Sequence, residues 1–325
     1  MRQFVRAATR NGPLNILTFD THERNQTFMA KTGHTFYAIR LPGLKTWNTK
    51  YAPVPPNYIQ FDETKGENQI FPEIDFDLIL SQNKFAHWHI ANNMSQHFGI
   101  PLLHLEHCLP PPNWGPGMFQ QYRSMGASQH VFISEMSRKA WGYEGEALVV
   151  RHGVDTEQFH PDERERQQIV LSVANDFVNR NWALGFTMWQ NVVAGLPAKV
   201  VGDTPGLSLP AMNTHELINE YNVASIFLNT SLISPIPLSL LEAGAMECGI
   251  VSTNTCMIPE IFTHGHDALL CANERELREA VEQLLMNPME ARRLGKNARE
   301  TIRAKCGLER YVADWNRVFN EVIIK

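Results

Sequence analysis

The residues best equipped to do chemistry stand between Ser234 and Glu260. In Ser234-Pro-Ile-Pro-Leu-Ser-Leu-Leu-Glu242-Ala-Gly-Ala-Met-Glu-Cys-Gly249, a proline-broken loop runs into an apolar stretch of helical character that begins at Leu238. The first turn of that helix, Leu238 and Ser239, offers backbone N–H groups with no partner inside the helix. It also carries the positive end of the helix dipole, so it is a suitable seat for a diphosphate. Glu242, about one turn further in, is a carboxylate that could accept hydrogen bonds from a diol. An acid near a helix start is also what local preference selects, and it would then be a solvated surface group.

Other candidates carry a bland reading beside the functional one. Leu103-His-Leu-Glu-His107 ends an apolar run with three polar groups, of which His104 and Glu106 could equally serve packing or capping. Asp20-Thr-His-Glu-Arg24 follows the first apolar run, where a polar cluster faces ligand or simply caps a helix through Asp20 or Thr21. Asp75-Phe-Asp77 imitates a metal-binding Asp-x-Asp, but it leads into a strand at its amino end, away from where ligands bind. His87-Trp-His89 sits in a predicted helix, where residues two apart point in nearly opposite directions and do not share an ion. No metal site is predicted.

The elements that must position these groups follow from hydrophobic periodicity. Leu14 to Phe19, Thr35 to Ile39, Asp77 to Ser81, Pro101 to Leu105 and His130 to Ser134 are buried-strand runs. They are separated by helical stretches such as Lys84 to Phe98, which Gly99 ends. A Pro-rich loop, Leu109 to Gly117, interrupts the pattern, and Glu135 to Trp141 is a short helix. The charged stretch Pro161 to Gln168 reads as a linker. Strands then recur at Ile169 to Val173, Ala198 to Val201, Ser225 to Leu228 and Ile250 to Ser252. Helices at Leu238 to Met246, Glu274 to Met286, Met289 to Lys305 and Leu308 to Ile323 accompany or follow them. Strand and helix alternating twice over predicts two doubly wound lobes with parallel sheets, their ligands at the carboxyl ends of the strands. The predicted divisions are 1–160, 161–307 and a final helix, 308–325, returning to the first lobe.

The bulk composition agrees. At 325 residues, 43% hydrophobic and 19% charged, the chain has the makeup of a globular protein larger than one ordinary domain. Its formal charge of −5 argues against a uniformly basic nucleic-acid binder. Five cysteines, Cys108, Cys248, Cys256, Cys271 and Cys306, form no C-x-x-C pair and suggest neither a disulfide framework nor zinc. No apolar run approaches the ~18 residues a membrane span needs, and the amino-terminal stretch lacks the apolar core of a secretion signal. The expectation is a cytoplasmic protein, in the host cytoplasm if viral, with no stable membrane insertion.

Several segments, in order along the chain, resemble the family-four GT-B glycosyltransferases (glycosyl transferases group 1). Ser234 to Glu260 resembles the donor-binding signature, and His152-Gly-Val-Asp-Thr-Glu-Gln-Phe-His-Pro161 the Asn-Gly-Val-Asp segment between the lobes. Val201-Gly-Asp203 resembles the Val-Gly-x-Gly strand end, and Ala127 to Glu135 the Ala-Asp-x-Val-Ile-x-x-Ser strand. The resemblance covers roughly residues 75 to 320 and marks the chain as a divergent, compact member. It implies a GT-B fold, two Rossmann-like lobes facing across a cleft. It assigns Glu242 to the donor ribose and His107 to the donor sugar. Three departures stand out. Ser234 replaces the acid expected eight positions before Glu242, Asn175 and Arg180 replace an Arg-x4-Lys pair, and Cys256-Met257 replace Gly-Gly before Pro259-Glu260. Arg180 is the surviving cation and hence the phosphate candidate.

The implied reaction is transfer of a sugar from a nucleoside-diphosphate sugar to an acceptor hydroxyl, retaining and without metal or resident cofactor. His107, Arg180 and Ser234 would serve the chemistry, and Asn175, Arg180, Leu238, Ser239, Glu242 and Glu260 would hold the donor. The acceptor is a saccharide or a hydroxymethylated DNA base. For the latter, the aromatic and basic stretch Lys45 to Tyr58, with Arg2, Arg6 and Arg10, would contact the anionic polymer. The competing reading is a catalytically impaired nucleotide-sugar-binding or regulatory protein. The sequence leaves the oligomeric state open.

Overall fold

The computed structural model describes residues 12–61 and 74–324, the side chains of Lys84 and Ala86 excepted. Its contacts gather into two compact units. The first comprises the described residues up to Arg151 together with the chain from Glu309 on; the second is His152–Leu308.

In the first unit the elements are β1 (Asn15–Phe19), α1 (Glu23–Ala30), β2 (Thr35–Ile39), β3 (Tyr58–Gln60), β4 (Leu78–Ser81), α2 (Lys84–Phe98), β5 (Leu102–Glu106), α3 (Pro116–Ser124), β6 (Gln129–Phe132), α4 (Glu135–Ala140) and β7 (Ala147–Val149). Every strand pair is parallel, in the order β3-β2-β1-β4-β5-β6-β7. The order reverses between β1 and β4, which opens a crevice at the carboxyl ends of those two strands. The apolar runs fill the sheet on both faces, as parallel sheets require; Leu17, Phe19, Ile79 and Leu102 share one core cluster.

The second unit continues with β8 (Gln167–Val173), α5 (Asn181–Leu184), α6 (Phe186–Val193), β9 (Ala198–Val201), α7 (Thr214–Val223), β10 (Ala224–Asn229), α8 (Leu238–Ala245), β11 (Gly249–Thr253), α9 (Ile258–Ile261), β12 (Leu269–Cys271), α10 (Glu274–Met286) and α11 (Pro288–Cys306). Its sheet is again all parallel, in the order β12-β11-β10-β8-β9, with the reversal between β8 and β10. Buried Arg299 of α11 binds the strap before β8 to the end of α8, donating to the carbonyls of Thr156, Phe159 and Ala245. The last helix, α12 (Leu308–Ile324), lies in the first unit from Glu309 on: its Tyr311 hydroxyl donates to Asn25 Oδ1 at 2.9 Å, and Phe319 packs on Phe36 and His34.

The strands and helices named from periodicity are present. Three strands the sequence did not announce, β3, β7 and β12, are three residues each and lie at sheet edges. The last two residues of the expected Pro-rich loop, Pro116 and Gly117, open α3, whose first position tolerates a proline because its missing N–H costs nothing there.

Candidate functional site

At the β8/β10 reversal, the loops that follow these strands are pinned from several sides. Thr230 Oγ1 donates to Leu184 O at 2.9 Å, and the N–H groups of Leu232 and Ile233 both reach Ala183 O. Ser231 O accepts from Thr253 Oγ1 at 2.6 Å and from Thr255 Oγ1 at 2.9 Å, which ties the β10 loop to the β11 loop. Met257 N donates to Pro235 O at 3.2 Å. Half-buried Ser234, next to Pro235, is thereby set beside the segment that opens α9 and carries Glu260.

Helix α8 begins at this spot. Its N-cap is Pro237, which has no side-chain acceptor, so no side chain caps the helix. Ser239 in the first turn donates its hydroxyl to Val173 O at 3.0 Å, seating the amino end of α8 on the last residue of β8. Two residues further, Asn175 is exposed, and its Oδ1 accepts from Asp203 N at 2.8 Å. Asn175 therefore clamps the β8 loop to the β9 loop, a duty that the substitution for a cation did not reveal. Gly202 permits the clamp: it has φ +143°, and a Cβ there would lie 2.0 Å from Ala174 O.

Arg180 stands at the N-cap of α5 with its side chain exposed, and among the described residues no hydrogen bond or ion pair engages its guanidinium. Cys256 has a left-handed backbone, at φ +54°, a region that favours glycine, and its thiol donates to Leu232 O.

Glu242 is 4% exposed. It is no solvated surface acid: its Oε2 accepts from the Tyr221 hydroxyl of α7 at 3.0 Å. Tyr221 went unnoticed in the sequence because nothing local links it to a carboxylate twenty-one residues away.

In the first unit, the groups at the β1/β4 crevice form a network. His107 is buried, its Nε2 lies 3.2 Å from Gln82 Oε1, and its ring meets His22 edge-on at 4.7 Å. Gln82 Oε1 also accepts from Thr21 Oγ1, so His107 Nε2 is the donor. His104 and Glu106 are buried with 3.5 Å between Nε2 and Oε2, and Glu106 Oε1 accepts from Cys108 N.

Asp20 and Glu23 prove structural. Asp20 Oδ2 accepts from Trp47 N and Gln60 Nε2, and Glu23 holds Lys45 Nζ and Asn48 N. Trp47 and Tyr58 are buried, so two aromatics of the Lys45 to Tyr58 stretch face into the unit, while Tyr51 is half-buried and Lys45 and Lys50 are exposed. Arg2, Arg6 and Arg10 lie outside the described residues. Asp77 Oδ2 accepts from Asn15 N at 2.8 Å at the amino ends of β1 and β4, a structural contact far from the crevice in its own sheet.

His87 stacks on Phe19 at 4.3 Å, and burial, with His104 and His22 nearby, pushes its pKa down to about 4. At neutral pH it is uncharged folded or unfolded. Below its ordinary value of 6.5 the unfolded chain takes up a proton that the folded chain refuses, so stability falls as the pH drops towards 4. The expected loss is roughly 2–3 kcal/mol. Urea unfolding of the parent and of His87→Phe between pH 7 and 4.5 checks this. The variant should show a flatter pH dependence, and equal slopes would contradict it.

Residues 208–301 match the family described as "Glycosyl transferases group 1". This segment is a group 1 glycosyl transferase domain. It holds α8, Glu242, Ser234 and Glu260, while Asn175 and Arg180 precede it. A curated relative, alpha-maltose-1-phosphate synthase of Mycolicibacterium smegmatis, is 32% identical over 95 residues, 27% of this chain. The match spans 24% of that relative's length. Sucrose-phosphate synthase from Thermosynechococcus elongatus superposes with TM-score 0.74 at 13% identity, over 96% of this chain and 100% of the other. Anabaena HepE in complex with UDP and glucose gives TM-score 0.75 at 13% identity, over 94% and 99%. At such identities the likeness speaks for the fold, which is GT-B. Among the described residues no helix is long and apolar enough to cross a membrane.

Proposed function

We propose that the chain is a glycosyltransferase that takes a sugar from a nucleoside diphosphate and passes it to an acceptor hydroxyl, with retention and without a metal ion. One arrangement carries this reading: a helix with an uncapped amino end at the sheet's reversal point, with a buried acid about one turn inside it, in a group 1 glycosyl transferase domain. Backbone N–H groups of Leu238 and Ser239 would receive the diphosphate and Glu242 the ribose. Arg180 would balance charge developing on the leaving group. Ser234, Asn175 and Glu260 border the same loops, and in the first unit His107 is the proposed sugar-orienting side chain. HepE has been solved with UDP-glucose, which supports a nucleotide sugar as donor.

A saccharide acceptor is favoured over a hydroxymethylated DNA base, because Trp47 and Tyr58 are buried and Lys45 is bound to Glu23. The location we propose is a reducing cytoplasm, because none of the five cysteines stands in a C-x-x-C pair and their number is odd. Thermal-shift screening of UDP, GDP, ADP and their sugars, followed by transfer to saccharide and modified-DNA acceptors, tests the proposal. Glu242→Ala should weaken nucleoside-diphosphate binding by about 10- to 100-fold, the loss of a charge-assisted pair of hydrogen bonds. Unchanged binding would remove Glu242 from the site. Binding without any turnover would favour the impaired, regulatory reading.

A further inference from the structure

We propose that Tyr221 is a positioning residue that holds the Glu242 carboxylate in the orientation that selects ribose over deoxyribose. The inference rests on the ribose role of Glu242 set out above.

Tyr221 is 0% exposed on α7, and its hydroxyl lies 3.0 Å from Glu242 Oε2 and 3.3 Å from Ser239 O. A phenol has one proton to give, and the carboxylate oxygen is both the nearer and the charged acceptor, so the proton points to Glu242. This fixes which oxygen of the carboxylate faces α7, and with it the plane of the group. Nor can Tyr221 drift. Its carbonyl accepts from Arg166 Nη1 at 2.9 Å, and the same nitrogen reaches Ala224 O at 2.8 Å. Arg166 Nη2 donates to Met246 O at the far end of α8. One guanidinium therefore clamps the end of α7, the start of β10 and the end of α8. The Tyr221 hydroxyl closes the same two helices near the middle of α8, and Phe159 and Phe227 pack around its ring. Helices joined at two levels keep the distance between phenol and carboxylate constant.

A carboxylate held in one plane distinguishes a diol from its absence by geometry as well as charge. Released, it could still attract a nucleotide but would discriminate poorly, because each rotamer meets a different hydroxyl.

The test uses UDP, GDP and ADP with their 2′,3′-dideoxy counterparts, titrated into the full chain. The nucleotide bound most tightly is taken forward. Tyr221→Phe keeps the ring and removes only the donor. The expected result is a roughly 5- to 30-fold weaker ribonucleotide with the dideoxynucleotide almost unaffected. In a Glu242→Gln background the same substitution should change little, since the charged acceptor is already gone. The unfolding midpoint without nucleotide is measured alongside. If both nucleotides weaken equally, or the loss persists in the Glu242→Gln background, Tyr221 is merely structural and the inference is overturned. Unchanged ribose preference in Tyr221→Phe overturns it equally. If the parent chain shows no preference for ribose, the role of Glu242 fails first, and the inference with it.

Discussion

Arg180→Ala is expected to lower the turnover of sugar transfer by roughly 10²–10³-fold, the usual cost of removing one preorganised group that meets charge developing in a transition state. The guanidinium is available for this duty. It is exposed, it carries no hydrogen bond or ion pair among the described residues, and it sits on the loop that follows β8 beside the start of α5. Helix α5, whose N-cap is Arg180, is bound to the β10 loop through Ala183 and Leu184, so Arg180 is anchored to the segments that precede α8. In the family resemblance Asn175, whose Oδ1 holds Asp203 N, stands at the first of the two cation positions, so Arg180 is the one cation proposed to meet the leaving group. Arg180→Lys should recover only part of the loss, because an ammonium keeps the charge but not the planar fork that meets two phosphate oxygens at once. Steady-state transfer kinetics at saturating donor provide the measurement. A kcat within about twofold of the parent would make Arg180 a solvated loop residue.

Gly202→Ala is expected to destabilise the second unit by roughly 3–5 kcal/mol, at the upper end for a single substitution. Two penalties coincide at this position. The backbone has φ +143°, which side-chain-bearing residues seldom adopt, and the added methyl would stand 2.0 Å from Ala174 O, a backbone atom with no rotamer to yield. Relief requires the β8 and β9 loops to part, and the hydrogen bonds between them then break, among them Asp203 N to Asn175 Oδ1, Asp176 N to Asp203 O and Phe177 N to Thr204 Oγ1. The melting midpoint should fall by about 10 °C, and nucleoside-diphosphate binding should weaken in parallel because the β8 loop carries Arg180. A midpoint within about 2 °C of the parent would show that the loops separate at little cost.

How far the site was legible from sequence depends on whether each signal is local. The start of α8 was legible because Pro235 and Pro237 forbid helix before it and the apolar run begins at Leu238. Long helices such as α2 and α10 fall within the bounds periodicity gave them. The edge strands β3, β7 and β12 were not legible: three residues carry no period, and what makes them strands is the neighbour they pair with. The stretch from Lys45 to Tyr58 misled for a related reason. Aromatic and basic residues among prolines have the composition of a contact loop, yet Asp20 and Glu23 draw the segment inward.

Sequence by itself determined the two α/β repeats and the place of Glu242 on its helix. These follow from residue types and spacings along the chain, where covalent neighbours enforce the period. Tertiary structure alone decided that Glu242 is buried against Tyr221, that Asn175 is occupied by Asp203, and that Cys256 has a left-handed backbone. Each of these is a pairing or a strain accepted between segments far apart in the chain. Such choices depend on which buried polar groups end up within hydrogen-bond reach of one another, and no local pattern records that.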